Sequence, residues 1–218
     1  DGAIVNFRKD GSTVGSIGTT GGKLQVSGTG NNAALIFDHS NTRIEPYTSA
    51  TTDLGRSAAT FKDLYLSGGV YLGGTGSANK LDDYEEGTWT DPTITFGGGS
   101  TGLTYTQRDG WYTKVGRLVT VGWEIVLSNK GSSTGNLALA NLPFTIAPSQ
   151  RQVAGVFYFQ FMASNFPAAE KSFYGNPNGT NTGGVAYFSG SSGTSLSLND
   201  THFGNSSYWY GTYTYYVA

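Results

Sequence analysis

The clearest pattern in the chain is an alternation of apolar and polar residues between Arg117 and Ser128. The apolar positions of one parity are Val119, Val121, Trp123, Ile125 and Leu127, and the other parity holds Thr120, Gly122, Glu124 and Ser128, with Val126 as the exception. Because successive side chains of a strand point to opposite faces, this period of two predicts a β-strand with one buried face and one face in water.

A second apolar stretch, from Gln152 to Ala163, has apolar residues at both parities, which predicts a strand that is central in its sheet or lies at a subunit contact. Further strands are predicted at 103–107, 137–140, 184–189, 195–198 and 208–217. Their spacing predicts an antiparallel, jelly-roll-like β-sandwich. The predicted core contains Trp89, Trp123, Phe157, Phe159, Phe161 and Trp209. Trp111 follows a turn signal, Asp109-Gly110, and either joins this core or is exposed.

The first 80 residues instead contain short apolar pieces separated by turn signals. These signals are Asp10-Gly11, Gly21-Gly22, Gly30-Asn31-Asn32 and Gly68-Gly69. The six aromatic residues of this half cannot cover so much backbone, and unpaired strand edges invite aggregation. A homotrimer, in which each strand pairs with a neighbouring chain, solves both problems. An irregular monomeric β domain is the alternative.

The chain is therefore expected to be all-β, with a trimeric β shaft followed by an antiparallel β-sandwich tip domain. We assign residues 1–81 to the shaft, 82–92 to a hinge and 93–218 to the tip domain. The residues predicted to form the trimer interface are Leu54, Phe61, Leu64, Leu66, Val70 and Leu72.

Composition agrees with this fold class and narrows the function. Of 218 residues, 33 are glycine, 14% are aromatic and only 13% are charged, which is typical of strands joined by tight turns. The net charge of -2 supplies no basic field for a nucleic-acid partner. The sequence has no cysteine for disulfides or thiolate zinc sites, and no apolar run long enough to span a bilayer. The abrupt start at Asp1 in a repetitive region predicts a fragment of a longer polypeptide.

Three segments resemble the tail fibres of tailed bacteriophages. They are Asp82-Asp83-Tyr84-Glu85-Glu86-Gly87-Thr88-Trp89-Thr90, Tyr112-Thr113-Lys114-Val115-Gly116-Arg117 and the run from Asp53 to Leu66. In such fibres a YEEGTWTP-like element begins the C-terminal β domain, a Y-T-K-V-G-R-x-V-x-V strand forms part of one sheet, and an L-G-S-x-x-x-x-F/W-K-D-L-Y-L segment belongs to the shaft. Here Asp91 separates Thr90 from Pro92, which departs from that pattern. The resemblance implies a fibre protein that binds a host receptor.

The sequence offers little that could support catalysis. Glycoside hydrolysis needs two carboxylates across a sugar-sized cleft. The carboxylates after Tyr84 are Glu85, Glu86, Asp91, Asp109, Glu124, Glu170 and Asp200, and they show no recurrent spacing. Asp200 and His202 would share one side of a strand and could hold a cation with a third ligand, although a loop carboxylate beside a satisfied histidine is favoured. We therefore predict no enzyme, no metal and no cofactor.

Two kinds of segment are candidates for receptor binding. In the aromatic strand 208–217, one parity would face the core and the other would present rings and hydroxyls that suit sugar rings, unless a neighbouring subunit buries the second face as well. Two loops, 174–183 and 199–207, are rich in amides and hydroxyls and nearly free of charge, which suits a neutral polar ligand. The candidate receptor-binding residues are Tyr174, Asn176, Asn178, Asn181, Asp200, His202, Tyr208 and Tyr210.

The predicted function is host-cell adsorption by the distal part of a phage tail fibre in the virion. The expected partners are two further copies of the chain, a cell-surface glycan or outer-membrane receptor, and other tail proteins bound through a missing N-terminal part. The first alternative is a structural trimerisation or virion-decoration module, and the second is a glycan depolymerase.

Overall fold

The computed structural model describes residues 1–29, 33–147, 153–160, 163, 173–176, 185–189 and 195–217. Within these residues the chain is all-β with antiparallel sheets and has no α-helix, as the composition predicts. No helix of this described part has the length and apolar character needed to cross a membrane. The chain forms two compact units, Asp1–Tyr65 and Leu66–Ala218.

The first unit is built on a five-stranded antiparallel sheet whose strands follow one another in chain order. The strands are β1 (Gly2–Lys9), β2 (Ser12–Thr20), β3 (Lys23–Gly28), β4 (Ala34–Asp38) and β5 (Arg43–Pro46). The expectation that each strand pairs with a neighbouring chain is wrong for these strands. The turns Asp10-Gly11 and Gly21-Gly22 take positive φ at both positions and close tight hairpins, so each strand meets the next one of its own chain.

One face of this sheet is apolar and open. Directly paired residues of an antiparallel sheet point to the same side, and the register places one apolar set together. This set, called the apolar face below, comprises Val5, Phe7, Ile17, Leu24, Val26, Leu35, Phe37 and Ile44. All but Ile17 are at least 38% exposed. The first sheet therefore presents to solvent the side chains that a folded protein normally buries.

The opposite face is polar and largely buried. The Asp38 side chain is fully buried there, with its carboxylate 2.7 Å from Lys23 Nζ and 3.5 Å from Arg43 Nη2. Glu45 lies 2.7 Å from Arg43 Nε and 3.4 Å from Lys23 Nζ. The Asn41 amide, followed by Lys23, donates hydrogen bonds that hold the pKa of Asp38 well below its usual range. Because these ion pairs satisfy the polar face, the apolar face is the one left without a partner.

The second unit begins with a short hairpin and continues into a ten-stranded antiparallel sheet. The hairpin is β6 (Val70–Tyr71) and β7 (Lys80–Leu81). The sheet contains β8 (Tyr84–Thr88), β9 (Thr93–Phe96), β10 (Thr104–Val115), β11 (Leu118–Asn129), β12 (Leu137–Ala140), β13 (Val153–Gln160), β14 (Phe173–Asn176), β15 (Val185–Ser189), β16 (Ser195–Ser197) and β17 (Tyr208–Tyr216). The strand order is β8-β10-β11-β17-β13-β14-β15-β12-β9, with β16 beside β15.

The sheet folds back on itself around one aromatic core. Strands β9 and β12 at one end of the order and β11 and β17 near the other end all contribute side chains to this core. The Tyr105 hydroxyl links β10 to β9 by donating to Ile94 O at 3.1 Å. The ring of Trp123 lies 5.1 Å from Trp209 and 6.3 Å from Trp89 between ring centroids. The core is thus assembled from residues far apart in sequence.

Several predictions for this unit are confirmed. The five apolar residues predicted on one parity of β11 are all at most 1% exposed. Trp89, Trp123 and Trp209 are buried, and Phe157 and Phe159 pack against them. Strand β13 lies between β17 and β14, which makes it central, as its two apolar faces predict. Phe161 lies outside the described residues.

The segment that resembles a fibre strand, Tyr112 to Arg117, forms a hairpin rather than one strand. Residue Gly116 has φ 56 and turns the chain between β10 and β11, which allows the two strands to pair along their length. Strand β8, within the predicted hinge 82–92, pairs with the end of β10 that leads into this turn. The segments 82–90 and 112–117, which both resemble fibre motifs, are therefore direct neighbours in the sheet.

Candidate binding face of the second unit

The solvent side of the second sheet carries a surface formed by five neighbouring strands, β8, β10, β11, β17 and β13. Cross-strand register arranges its side chains in rows that run across the strands. The indole row is Thr88, Trp111, Gly122, Thr212 and Val156, the carboxylate row is Asp109, Glu124, Tyr210 and Tyr158, and the threonine row is Glu86, Thr113, Thr120 and Thr214. Together with Gln107, Val126, Tyr208 and Gln160, these rows form the outer face. The outer residues alternate along each strand with core residues.

Trp111 is the most distinctive residue of the outer face. Its side chain is 51% exposed, whereas Trp89, Trp123 and Trp209 are each at most 2% exposed. A Cβ atom placed on Gly122 would lie 2.3 Å from Cε2 of the Trp111 ring and 2.4 Å from Nε1. The indole thus lies across Gly122, where only a glycine leaves room for it. Of the two alternatives for Trp111, the structure shows the exposed one.

The carboxylate row combines two acidic groups with two tyrosine rings. Tyr208 Oη donates to Glu124 Oε1 at 2.5 Å, and this hydrogen bond is the main reason that the pKa of Tyr208 rises to about 12. Gln107 Nε2 donates to Asp109 Oδ2 at 2.6 Å. The rings of Tyr158 and Tyr210 lie 4.9 Å apart at an interplanar angle of 32°. Within the described residues each carboxylate keeps one oxygen without a protein donor.

The threonine row adds hydroxyl groups, and a further row closes the face with apolar side chains. Thr120 Oγ1 and Thr214 Oγ1 share a hydrogen bond of 3.1 Å. Beyond them lie Tyr84, Val115, Leu118 and Tyr216, all between 38% and 59% exposed. The side chains of the outer face include no lysine or arginine, since Arg108 and Lys114 of β10 are paired with the core residues Ile125 and Val119, and its formal charge comes from carboxylates alone.

The alternation predicted for the C-terminal strand is confirmed. Trp209, Tyr213 and Tyr215 are buried in β17, whereas Tyr210 and Tyr216 are at least 40% exposed in the single chain. Of the predicted receptor residues, Tyr208 and Tyr210 therefore lie together on the outer face. The reading in which a neighbouring subunit covers this face stays a prediction.

Asp200 and His202 lie elsewhere, in a 3-10 helix (Asp200–His202) and not on a strand. Asp200 Oδ1 accepts a hydrogen bond from Gly135 N at 2.7 Å, and Asp200 Oδ2 lies 3.7 Å from Lys130 Nζ. His202 is buried, and its Nδ1 accepts from Asn199 N at 3.1 Å. The described residues contain no group of three or more acidic or histidine side chains that could hold a metal ion. Both side chains thus bind neighbouring backbone.

The remaining predicted receptor residues fall in or beside the parts of the chain that are not described. Asn178 and Asn181 lie outside the described residues. Tyr174 and Asn176 lie in β14, with their side chains outside the described part. Their role in receptor binding stays a prediction.

The six residues predicted at the trimer interface are all exposed in the single chain. Leu54 is 73% exposed, Phe61 65%, Leu64 65%, Leu66 55%, Val70 37% and Leu72 57%. Their role in a trimer interface stays a prediction. Sequence reasoning did not single out the apolar face of the first sheet, which is exposed in the same way.

The residues of the fibre-like motif hold β8 to the sheet. Lys114 forms an ion pair with Asp83, and the Lys114 side chain is only 10% exposed. The Tyr112 hydroxyl donates to Glu85, and the Tyr112 ring packs against Phe144 with centroids 5.0 Å apart. The described contacts of the motif are therefore structural: they join β8, β10 and the segment that contains Phe144.

Burial of His202 predicts a pH effect on stability. Burial lowers the pKa of His202 below its ordinary value of about 6.5. Between the folded and unfolded pKa values the unfolded chain binds more protons, so stability rises with pH in this window. We expect the free energy of unfolding to fall as the pH is lowered from 7.5 through 6.5 to 5.5, with a smaller fall in His202→Gln. Denaturant unfolding at each pH measures this, and the exposed His39→Gln is the control, which should keep the wild-type slope.

The outer face was only partly foreseeable. The alternation along β11 predicted that Glu124 faces outward. The position of Trp111 could be predicted only from the hairpin register that pairs it with Gly122. That register can be read from the sequence once the turn is placed at Gly116.

Comparison with protein-family models, with curated proteins and with solved structures finds no match for this chain.

Proposed function

We propose that this chain is the distal part of a bacteriophage tail fibre that mediates host-cell adsorption without catalysis. The observation that carries the proposal is the outer face, where Trp111, Tyr158 and Tyr210 are exposed beside unpaired acceptor groups. Aromatic faces with nearby hydrogen-bonding groups suit sugar rings, whose C–H faces stack and whose hydroxyls need donors and acceptors. The ligand is a cell-surface glycan or a glycan-bearing outer-membrane receptor.

Self-association as a homotrimer supports this role. The first unit exposes its apolar face, and the segment from Leu54 to Leu72 exposes further large apolar residues. In our proposal the first unit belongs to a trimeric shaft and the second unit is a jelly-roll-like β-sandwich tip. Other tail proteins of the virion would be further partners of the fibre. The net charge of -2 does not favour a nucleic-acid partner.

Weak single-site binding is sufficient for such a protein. Three identical tips on one fibre, and several fibres on one virion, raise the effective concentration of each tip at the cell surface. This can increase avidity by a factor on the order of 10²–10⁴ without any new contact. An open face with exposed aromatic rings is therefore adequate for firm adsorption.

Cell adhesion tests the proposal. The fluorescently labelled protein is incubated with a panel of bacterial strains, and binding to at least one strain is expected. The double variant Tyr158→Ser/Tyr210→Ser should lower binding at least tenfold while sedimentation shows an unchanged assembly. The matched control is Tyr47→Ser, because Tyr47 is 46% exposed, close to the exposure of Tyr158 and Tyr210, and lies in the first unit outside the Leu54–Leu72 segment. Failure to bind any strain would favour the structural module without receptor binding, and equal binding by the double variant would show that the tyrosine pair is not part of the receptor site.

One observation supports the depolymerase alternative strongly enough to test. Asp109 and Glu124 are directly paired across β10 and β11, so two carboxylates are neighbours on the outer face. They lie on an open sheet, whereas glycoside hydrolysis uses carboxylates on either side of a cleft. Incubation with host polysaccharide decides: shortened chains whose production stops in Asp109→Asn and Glu124→Gln would establish an enzyme.

A further inference from the structure

We propose that the indole of Trp111 is the stacking platform for a pyranose ring, and that the outer face binds a neutral hexose chain that crosses its strands. This inference rests on the proposed function and deepens it, since it names the ligand class and the residue at the centre of the site. Trp111 was not among the predicted receptor residues.

The first step is the orientation of the ring. A Cβ atom at Gly122 would approach three atoms of the indole to within 2.5 Å, so the ring lies over the glycine with one side against the sheet. The side chain is still 51% exposed, and no ring contact joins it to another aromatic residue of the described chain. A flat, bare aromatic surface on rigid strands is therefore presented to solvent. The C–H face of a pyranose fits such a surface.

The second step is the supply of hydrogen-bonding groups on both sides of the ring. Asp109 follows one row away along β10, and Thr113 lies one row away in the other direction. Two residues along a strand span about 6.4–6.8 Å, close to the width of one sugar ring with its hydroxyls. Glu124 and Thr120 repeat the arrangement on β11. Ring hydroxyls can donate to the carboxylates on one side and exchange hydrogen bonds with threonine hydroxyls on the other.

The third step is the charge of the ligand. The residues of the outer face include Glu86, Asp109 and Glu124 but no lysine or arginine, because Arg108 and Lys114 of β10 belong to the opposite face. A uronate, sialic acid or phosphate group would meet like charge with no cation to offset its loss of solvation. The face thus selects neutral sugars by excluding anionic ones.

The fourth step is the extent of the site. Tyr210 and Tyr158 lie on β17 and β13, at the far side of the face from β10, and neighbouring strands are about 4.7–4.9 Å apart. Val156, 77% exposed, lies in the same row as Trp111 and lengthens the apolar track. A chain of several hexoses that crosses the strands contacts both the indole and the tyrosine pair. A monosaccharide reaches only one of them, so affinity should increase with chain length.

A second copy of this chain is the less suitable occupant. The outer face alternates polar and apolar rows, whereas the eight residues that define the apolar face of the first sheet are all uncharged. Self-contact through matching outer faces would bring the carboxylates of two copies together. The outer face thus has the chemistry of a polar ligand site.

Tryptophan fluorescence provides the test, because Trp111 is the exposed one of the chain's four tryptophans. Acrylamide quenching and calorimetry are measured on the full chain with neutral hexaoses of glucose, galactose, mannose and N-acetylglucosamine, and with hexagalacturonate as the anionic probe. We expect at least one neutral hexaose to bind and to protect Trp111 from quenching. Trp111→Ala should weaken that binding at least tenfold, and the hexaose should bind more tightly than its disaccharide.

A second variant tests the position of the Trp111 ring rather than its presence. Gly122→Val keeps Trp111 but displaces its ring from the sheet, so it too should weaken binding at least tenfold, whereas Tyr47→Ala, at an exposed residue of the first unit, should leave affinity unchanged. The inference is overturned if no neutral hexaose binds, if hexagalacturonate binds as tightly, or if Trp111→Ala keeps wild-type affinity. Cell adhesion measured in parallel separates the two proposals. Adhesion that survives in Trp111→Ala refutes the platform alone, and the absence of adhesion to any strain refutes the receptor function itself.

Discussion

Replacement of Trp123 by alanine is expected to lower the free energy of unfolding of the second unit by about 3–5 kcal/mol, the range for large aromatic truncations in a core. The side chain is 0% exposed and lies between Trp89, Trp209 and Phe157, with ring centroids 5.1 to 6.3 Å away. Removal of the indole leaves a cavity that these rings, held on different strands, cannot fill. Denaturant unfolding followed by circular dichroism at a fixed protein concentration measures the loss.

Two further variants show whether this loss comes from packing. The Nε1 atom of Trp123 is buried and has no hydrogen-bond partner in the described chain, so Trp123→Phe sacrifices no hydrogen bond. It should therefore cost less than about 2 kcal/mol, as near-conservative core exchanges do. Trp111→Ala, at a half-exposed site, should change stability by only about 0.5 kcal/mol. Equal losses in Trp123→Ala and Trp111→Ala would contradict the assignment of the core.

Introduction of a charge on the apolar face is expected to dissociate the assembly. Leu35 is 44% exposed, and its neighbours across the sheet, Val26 and Pro46, are also apolar or uncharged. Full burial of a large apolar side chain is worth about 1.5–3 kcal/mol, so covering the exposed half of each of these residues yields a substantial association energy. An aspartate at position 35 would have to be buried without a partner. Sedimentation at micromolar concentration should therefore show a trimer for the wild type and a single chain for Leu35→Asp.

The matched control is Thr13→Asp, which adds the same charge at an exposed residue of β2. It should remain trimeric, which excludes a general effect of net charge. The result that would contradict the proposal is a wild-type protein that stays folded as a single chain at micromolar concentration. Retention of the trimer by Leu35→Asp would instead leave the segment from Leu54 to Leu72 as the contact surface.

How much of the fold the sequence revealed depended on the range of the interactions. The alternation of apolar and polar residues in β11 predicted its buried face because this signal lies within the strand itself and needs no knowledge of its partners. The pairing of β1 to β5 was not foreseen, since sparse aromatics suggested partners from other chains. The dipeptide Asp10-Gly11 forms a hairpin that fixes the pairing locally, and an open apolar face remains as the consequence.

The binding face shows why the rest was not predictable from local signals. Asp109-Gly110 was interpreted as a turn, but it lies within β10. A Cβ atom at Gly110 would lie 2.9 Å from the Cβ of Trp89, so this glycine serves close packing and not chain reversal. Such a contact involves residues 21 positions apart and appears only when strands are paired. For the same reason, the contact between the Trp111 ring and Gly122 was not predicted from the sequence.

The absence of lysine and arginine among the residues of the outer face also bears on the salt dependence of the proposed adhesion. Dissolved ions screen attraction between exposed opposite charges that are more than about 10 Å apart at 0.1 M salt, but they leave stacked rings and neutral hydrogen bonds almost unaffected. Adhesion through this tip should hold equally well in fresh water and in brine. Under the proposed function, a virion that adsorbs through this face would not depend on the mineral content of its habitat to stay on its host.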